Sequence, residues 1–127
     1  MPHLKKPTRR NYQPPRKRVP TGNQKFLNSE AWRRTTRLCR QLRPLCEVSE
    51  AIGVDAAAQV TDHVIAREFG GAEFDRRNLM VMTKHYHDIK SGMETHGPFL
   101  QTISTPRGLV PADRSEAIRR LTGGGRG

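Results

Sequence analysis

QVTDHVIAREFGGAEFDRRNLMVMTKHYHDIKSGMET, residues 59–95, carries the clearest run of secondary-structure signals in the chain. Gln59 to His63 is short, β-branched at Val60 and Thr61 and bounded by turn material, so it reads as a strand with Asp62 and His63 at its exit. Arg67 to Arg77, which contains Gly70-Gly71, reads as a loop. NLMVM at 78–82 gives a second strand, and TKHYHDIKSGMET at 83–95 a helix capped by Thr83. Strand, loop, strand and helix therefore follow one another without a break.

Outward on the N-terminal side, Asn28-Ser29 can cap a helix through EAWRRTTRLCRQL, with Trp32, Thr36, Leu38, Cys39 and Leu42 available to its buried side. Pro44 ends it. LCEVSEAI at 45–52 makes a short second turn or helix that closes at Gly53. Prolines at 2, 7, 14, 15 and 20 forbid a sustained helix or central strand further upstream, so residues 1–27 read as a disordered basic arm. On the other side, residues 98–127 form an extension in which SEAIRRLT makes one more short helix and GGGRG a flexible end. The expected organisation is an arm at 1–27, one domain at 28–97 and the extension at 98–127, with no internal repeat.

At 127 residues and 34% hydrophobic content, the chain has material for one modest core. The net charge of +11 favours a polyanionic partner. Lys5, Lys6, Arg9, Arg10, Arg16, Lys17, Arg18 and Lys25 precede the first acid, Glu30, so the arm carries +8 of that charge. No apolar run is long enough to cross a bilayer and the N-terminus lacks the apolar core of a secretory signal, so no membrane partner and an intracellular, cytoplasmic location are expected. Cys39 and Cys46 are expected to stay reduced in that compartment.

Hydrolysis of a phosphodiester needs a water in line, a base for its proton and a cation to stabilise the charge that develops. Asp62 offers a hard oxygen ligand and His87 an imidazole nitrogen, which together leave most of a metal's shell open to water and phosphate. His63 follows a strand-borne ligand, so alternation should point it the other way, towards the far side of the phosphate. Its ordinary pKa of about 6.5 leaves it neutral enough near pH 7 to act as a general base. Lys90 lies one helical turn beyond His87 and can contact a DNA phosphate. Lys84, Arg76 and Arg77 form a solvated face that can do the same, and Trp32 and Tyr86 read as core aromatics.

Asp62-His63, Asn78, His87 and Lys90, with Trp32, Cys46 and Gly70-Gly71 in register, resemble the HNH endonucleases, a ββα-metal family, over roughly residues 32–94. Within it the pattern is most similar to the small phage enzymes encoded beside terminase genes. The resemblance implies an α+β chain with a small ββα-metal, treble-clef-like core. It implies His63 as general base, Asp62 and His87 as ligands of one divalent ion, Mg²⁺ or Mn²⁺ first and Ni²⁺ or Zn²⁺ as tolerated alternatives, and Asn78 as the brace of the loop that orients the base. His87 stands nine positions after Asn78, as the family's helix His does, whereas His85 is offset by two. DNA is the implied partner, bound by Lys90, Lys84, Arg76, Arg77 and the arm's Arg16, Lys17 and Arg18. The phage setting adds the terminase large subunit or portal as partner, with DNA packaging as the role.

Many phage members hold a structural zinc with two CxxC pairs. This chain keeps Cys46, while Ser49, Thr83 and Tyr86 stand at the other three positions, and hydroxyls are poor zinc ligands beside thiolate. Structural zinc is therefore not expected. Tyr86 should fill the vacated space, Thr83 cap its helix and Ser49 bond locally. Two other readings compete: a catalytically inactive ββα module for DNA binding or packaging assembly, and a basic ribosomal or RNA-associated protein.

Overall fold

The computed structural model describes residues 22–123. Its elements are α1 (Gly22–Leu27), α2 (Glu30–Leu42), α3 (Glu47–Ala51), β1 (Val60–His63), β2 (Leu79–Met82), α4 (Lys84–Met93), β3 (Thr102–Thr105), β4 (Gly108–Pro111) and α5 (Arg114–Leu121). They form an α+β chain with two separate antiparallel two-stranded sheets, β1 with β2 and β3 with β4. In the first sheet Val60 faces Met82 and His63 faces Leu79, and α4 follows β2 at once.

Ser29 starts α2 by accepting the Trp32 amide at 3.2 Å, and Pro44 stops it just after the last helical residue. Trp32 is the buried residue of this helix; Leu38 and Leu42 are 49% and 51% exposed, contrary to the sequence expectation. At 3.6 residues per turn, Thr36 and Cys39 stay within about 40° of Trp32, whereas Leu38 and Leu42 lie roughly 80–120° away. The helix presents its Trp32 side to β1, where Thr61 and Gln59 meet Thr36 and Arg40. The leucine side is left to solvent.

β2 is buried at all four positions, as an uninterrupted apolar run covered on both faces should be. Met80 and Met82 join Cys46, Val48, Val64, Ala117 and Leu121 in the core, with Tyr86 packed against it. Two of those residues, Ala117 and Leu121, come from α5. The extension after Pro98 is thus built into the core rather than trailing from it, and it contains a hairpin that the sequence reading left out. Thr-Ile-Ser-Thr and Gly-Leu-Val-Pro pair across Pro106-Arg107, with Gly108 at φ +126°.

That hairpin grips the long β1–β2 loop. The Ala72 amide donates to the Leu109 carbonyl, and the Leu109 amide to the Gly70 carbonyl, both at 2.9 Å. Gly71 lies so close that a Cβ would sit 1.7 Å from the Ile65 carbonyl oxygen, which no larger residue can satisfy. A second departure lies at the other end. Residues 22–27, expected to belong to a disordered arm, form α1, because Phe26 rests 5.3 Å from the Trp32 ring and Arg67 sits over the Phe26 face.

Around Cys46 the structure has a hydrogen-bonded knot. Its Sγ accepts the amides of Ser49 and Thr83, both at 3.4 Å, and Thr83 Oγ1 accepts the Tyr86 amide to cap α4. One thiol among hydroxyl-bearing neighbours is a poor donor set for a zinc ion. Both cysteines are free thiols, with Cys46 fully buried.

Candidate functional site

Where β1 ends, its last two residues meet α4, the turn at Arg67–Phe69 and the start of α1 and α2. Asp62, His63, Arg67, His87, Ser91 and Glu94 line the resulting cleft, of about 690 Å³. Asp62 and His63 both line it but, as strand alternation requires, they turn to different elements: Asp62 to Lys90 on α4, and His63, like Thr61, to α2.

His63 is 5% exposed and stacked on Trp32, ring centroids 4.6 Å apart and planes 17° apart. Its Nε2 lies 3.0 Å from the Glu73 carbonyl oxygen. A carbonyl only accepts, so Nε2 carries the proton and Nδ1 keeps the lone pair of the neutral ring. Burial pushes the His63 pKa below its ordinary value, against the opposing pull of the Glu73 carbonyl and the Asp62 carboxylate. The ring is therefore neutral at pH 7.

The unfolded chain takes up a proton on His63 near pH 6.5, whereas the folded chain resists it until a lower pH. Between those two values unfolding binds a proton, so the His63 contribution to stability falls as pH falls and is unchanged above pH 7. Thermal melts from pH 7.5 to 5 should show a falling midpoint in the wild type and a smaller fall in His63→Phe, which cannot titrate.

Asn78, fully buried, acts on His63 through the loop. Its Oδ1 accepts the Ile65 amide at 2.7 Å, and its Nδ2 donates to the carbonyls of Ile65 at 3.0 Å and Ala72 at 2.8 Å. It thereby ties the segment leaving β1 to the segment that brings Glu73 to the imidazole. No contact with the ring itself is needed.

Lys90 was expected to reach a phosphate, and the structure places it elsewhere. It is 1% exposed, its Nζ 2.9 Å from Asp62 Oδ2 and in tight contact with Glu94. Its helix face packs onto the β1 exit, where two carboxylates draw the ammonium inward. One cation against two acids leaves this cluster with a formal charge of −1. Burial pushes the Glu94 carboxyl up despite the Lys90 ammonium beside it. Asp62 Oδ1 meanwhile accepts the His63 amide at 2.9 Å.

His87 lines the cleft with its side chain 39% exposed. His85 does not line it; its ring stands edge-on to Tyr86. Lys84, Arg76 and Arg77 are exposed. Arg76 and Arg77 belong to another cleft, described below. Arg16, Lys17 and Arg18 lie outside the described residues.

Three contributors escaped the sequence reading. Glu94 had a legible signal, an acid four residues after Lys90 on one helix face. The Trp32 stack and the Glu73 carbonyl had none, since both arise from tertiary packing. Among the described residues no three His, Cys, Asp or Glu side chains gather as a metal-binding group. Asp62 and His87 bring a carboxylate and an imidazole to one cleft, with both Asp62 oxygens engaged, Oδ2 by the Lys90 ammonium and Oδ1 by the His63 amide. No family model, curated protein or solved structure matches the chain.

Proposed function

We propose that the protein is a metal-dependent DNA endonuclease of the HNH kind, cutting phosphodiester bonds in the cleft at the end of β1. The observation that carries this reading is the state of His63: buried, neutral and with one ring nitrogen free, beside an acid and a second imidazole in the same cleft. Asp62 and His87 would hold the divalent ion, whose charge stabilises the anionic transition state of phosphoryl transfer.

The chain's own residues do the rest. Nδ1 of His63 takes the proton of the attacking water, and the depressed pKa keeps it available near neutrality. The Glu73 carbonyl holds Nε2 and so fixes both tautomer and ring orientation. Asn78 holds the loop that brings that carbonyl. Trp32 keeps one ring face dry. The basic composition supports DNA as the partner, and the phage packaging setting, with a terminase or portal as companion, rests on the family resemblance alone.

One observation favours the alternative of a DNA-binding or packaging-assembly module without turnover: Lys90 already occupies an oxygen of Asp62. The two separate in a plasmid-nicking assay with Mg²⁺ or Mn²⁺, with and without chelator. Conversion of supercoiled to nicked DNA only when metal is free is the expected result. Binding without conversion in either metal would leave the module.

A further inference from the structure

We infer that a second cleft, distinct from the one at His63, binds a phosphate group. It lies between the end of α2, the 3-10 turn at Arg76–Asn78 and the start of α5, with a volume of about 410 Å³. Arg43, Arg76, Arg77 and Arg114 line it, and none of its lining residues lines the first cleft.

Four guanidiniums brought together repel one another, and an acid is built in beneath them. Glu47, 5% exposed, accepts Arg43 Nη1 at 3.0 Å and Arg114 Nη2 at 2.7 Å on Oε1, and on Oε2 the Val81 amide and again Arg114 Nη2, both at 2.8 Å. Every lone-pair direction of that carboxylate is engaged, so it orients two guanidiniums without having capacity for more. Arg114 Nη1 donates to the Arg76 carbonyl and ties α5 to the turn.

Arg77 is matched by Asp75 in a two-pronged pair. Arg76 makes no ion pair among the described residues. Four cations against Glu47 and Asp75 leave a formal +2. Each guanidinium presents several donors in a plane, and donors of Arg43, Arg76 and Arg114 remain unused. That geometry suits the tetrahedral oxygens of a phosphate, bound by several nitrogens at once.

The phosphate can be one of the DNA backbone or one on a free ligand. The backbone source rests on the DNA reading above; the site itself does not. Cys39 supplies a reporter, since it lines this cleft, it is partly exposed, and the other cysteine is fully buried. Both assays below use the full chain in chelator, so they need neither cleavage nor metal.

Duplex binding should be followed by anisotropy across a salt series for wild type, Arg43→Gln/Arg76→Gln and a control, Arg119→Gln/Arg120→Gln, which removes equal charge from α5. The cleft pair should weaken binding roughly tenfold or more and flatten the salt slope by about 1–2, since each lost phosphate contact removes about 0.9. The control should lose clearly less. Both cleft arginines are exposed and Arg76 is unpaired, so thermal melts should show the pair folded.

In parallel, alkylation of Cys39 should slow at least several-fold when duplex is bound. Slowing by duplex and not by inorganic phosphate assigns the site to the DNA backbone. Slowing by inorganic phosphate and not by duplex assigns it to a free phosphate-bearing ligand. Equal losses in the two arginine pairs, with Cys39 unprotected by either probe, overturn the proposal.

Discussion

Replacing His63 by alanine is expected to lower Mn²⁺-dependent nicking about 10²–10⁴-fold, the range that a lost general base costs. Duplex affinity should stay unchanged, because the imidazole is nearly buried and neutral and so contributes no charge to DNA binding. Alanine also removes a ring that stacks on Trp32. His63→Phe controls for that loss, since it retains the stack and still lacks a nitrogen. Both variants should be inactive, the phenylalanine one with near-normal folding. In the wild type the rate should fall on the acid side only below the ordinary histidine range, where the depressed Nδ1 finally takes a proton. Full activity in both variants would remove His63 from the chemistry.

Replacing Lys90 by methionine should be strongly destabilising. Asp62 and Glu94 would lose the cation between them in a site 22% and 12% open to solvent, and the Glu94 carboxyl, already pushed up by burial, would be pushed up further. Loss of one partner from a buried ion cluster costs about 3–5 kcal/mol. For a domain of this size that lowers the melting midpoint by well over 10 °C, at about 4–8 °C per kcal/mol. Adding Glu94→Gln should return part of the loss, because the surviving repulsion disappears, and the double-mutant cycle should show strong coupling. A cost below about 1 kcal/mol, as for an exposed pair, would mean that the ammonium is not held inside.

The elements around the site were legible for local reasons. Ser29 and Thr83 mark the starts of α2 and α4 through their own hydrogen bonds, Pro44 stops α2, and the apolar run at 79–82 makes β2. Gly70-Gly71 was readable as a turn, though not as a place where only glycine leaves room for the Ile65 carbonyl. What escaped depends on contacts remote in sequence. The β3–β4 hairpin is held by the loop it grips, and α1 by the ring of Trp32, so neither has a strong signature of its own. Helical spacing put Lys90 one turn beyond His87, yet whether an ammonium there turns outward or inward depends on Asp62 and Glu94.

The candidate site shows the same division. Residue types and spacing nominated Asp62, His63 and His87, which line one cleft, and the family resemblance added Asn78, which lies behind it and braces the loop. Their chemical states were not readable. That the His63 proton sits on Nε2 follows from a backbone carbonyl ten residues away, that burial depresses its pKa against that carbonyl's pull follows from the Trp32 packing, and that Asp62 carries an internal counter-ion follows from α4 packing.

Whether Asp62 and His87 grip one cation beside a free His63 is answered by the position of bound Mn²⁺. In a crystal soaked with Mn²⁺ and recorded for anomalous scattering, one peak is expected in the cleft, within about 2.5 Å of an Asp62 carboxylate oxygen and a His87 ring nitrogen and clear of His63. A cleft without a peak, with Asp62 still closed on Lys90, or a peak bound to His63 itself, would contradict it.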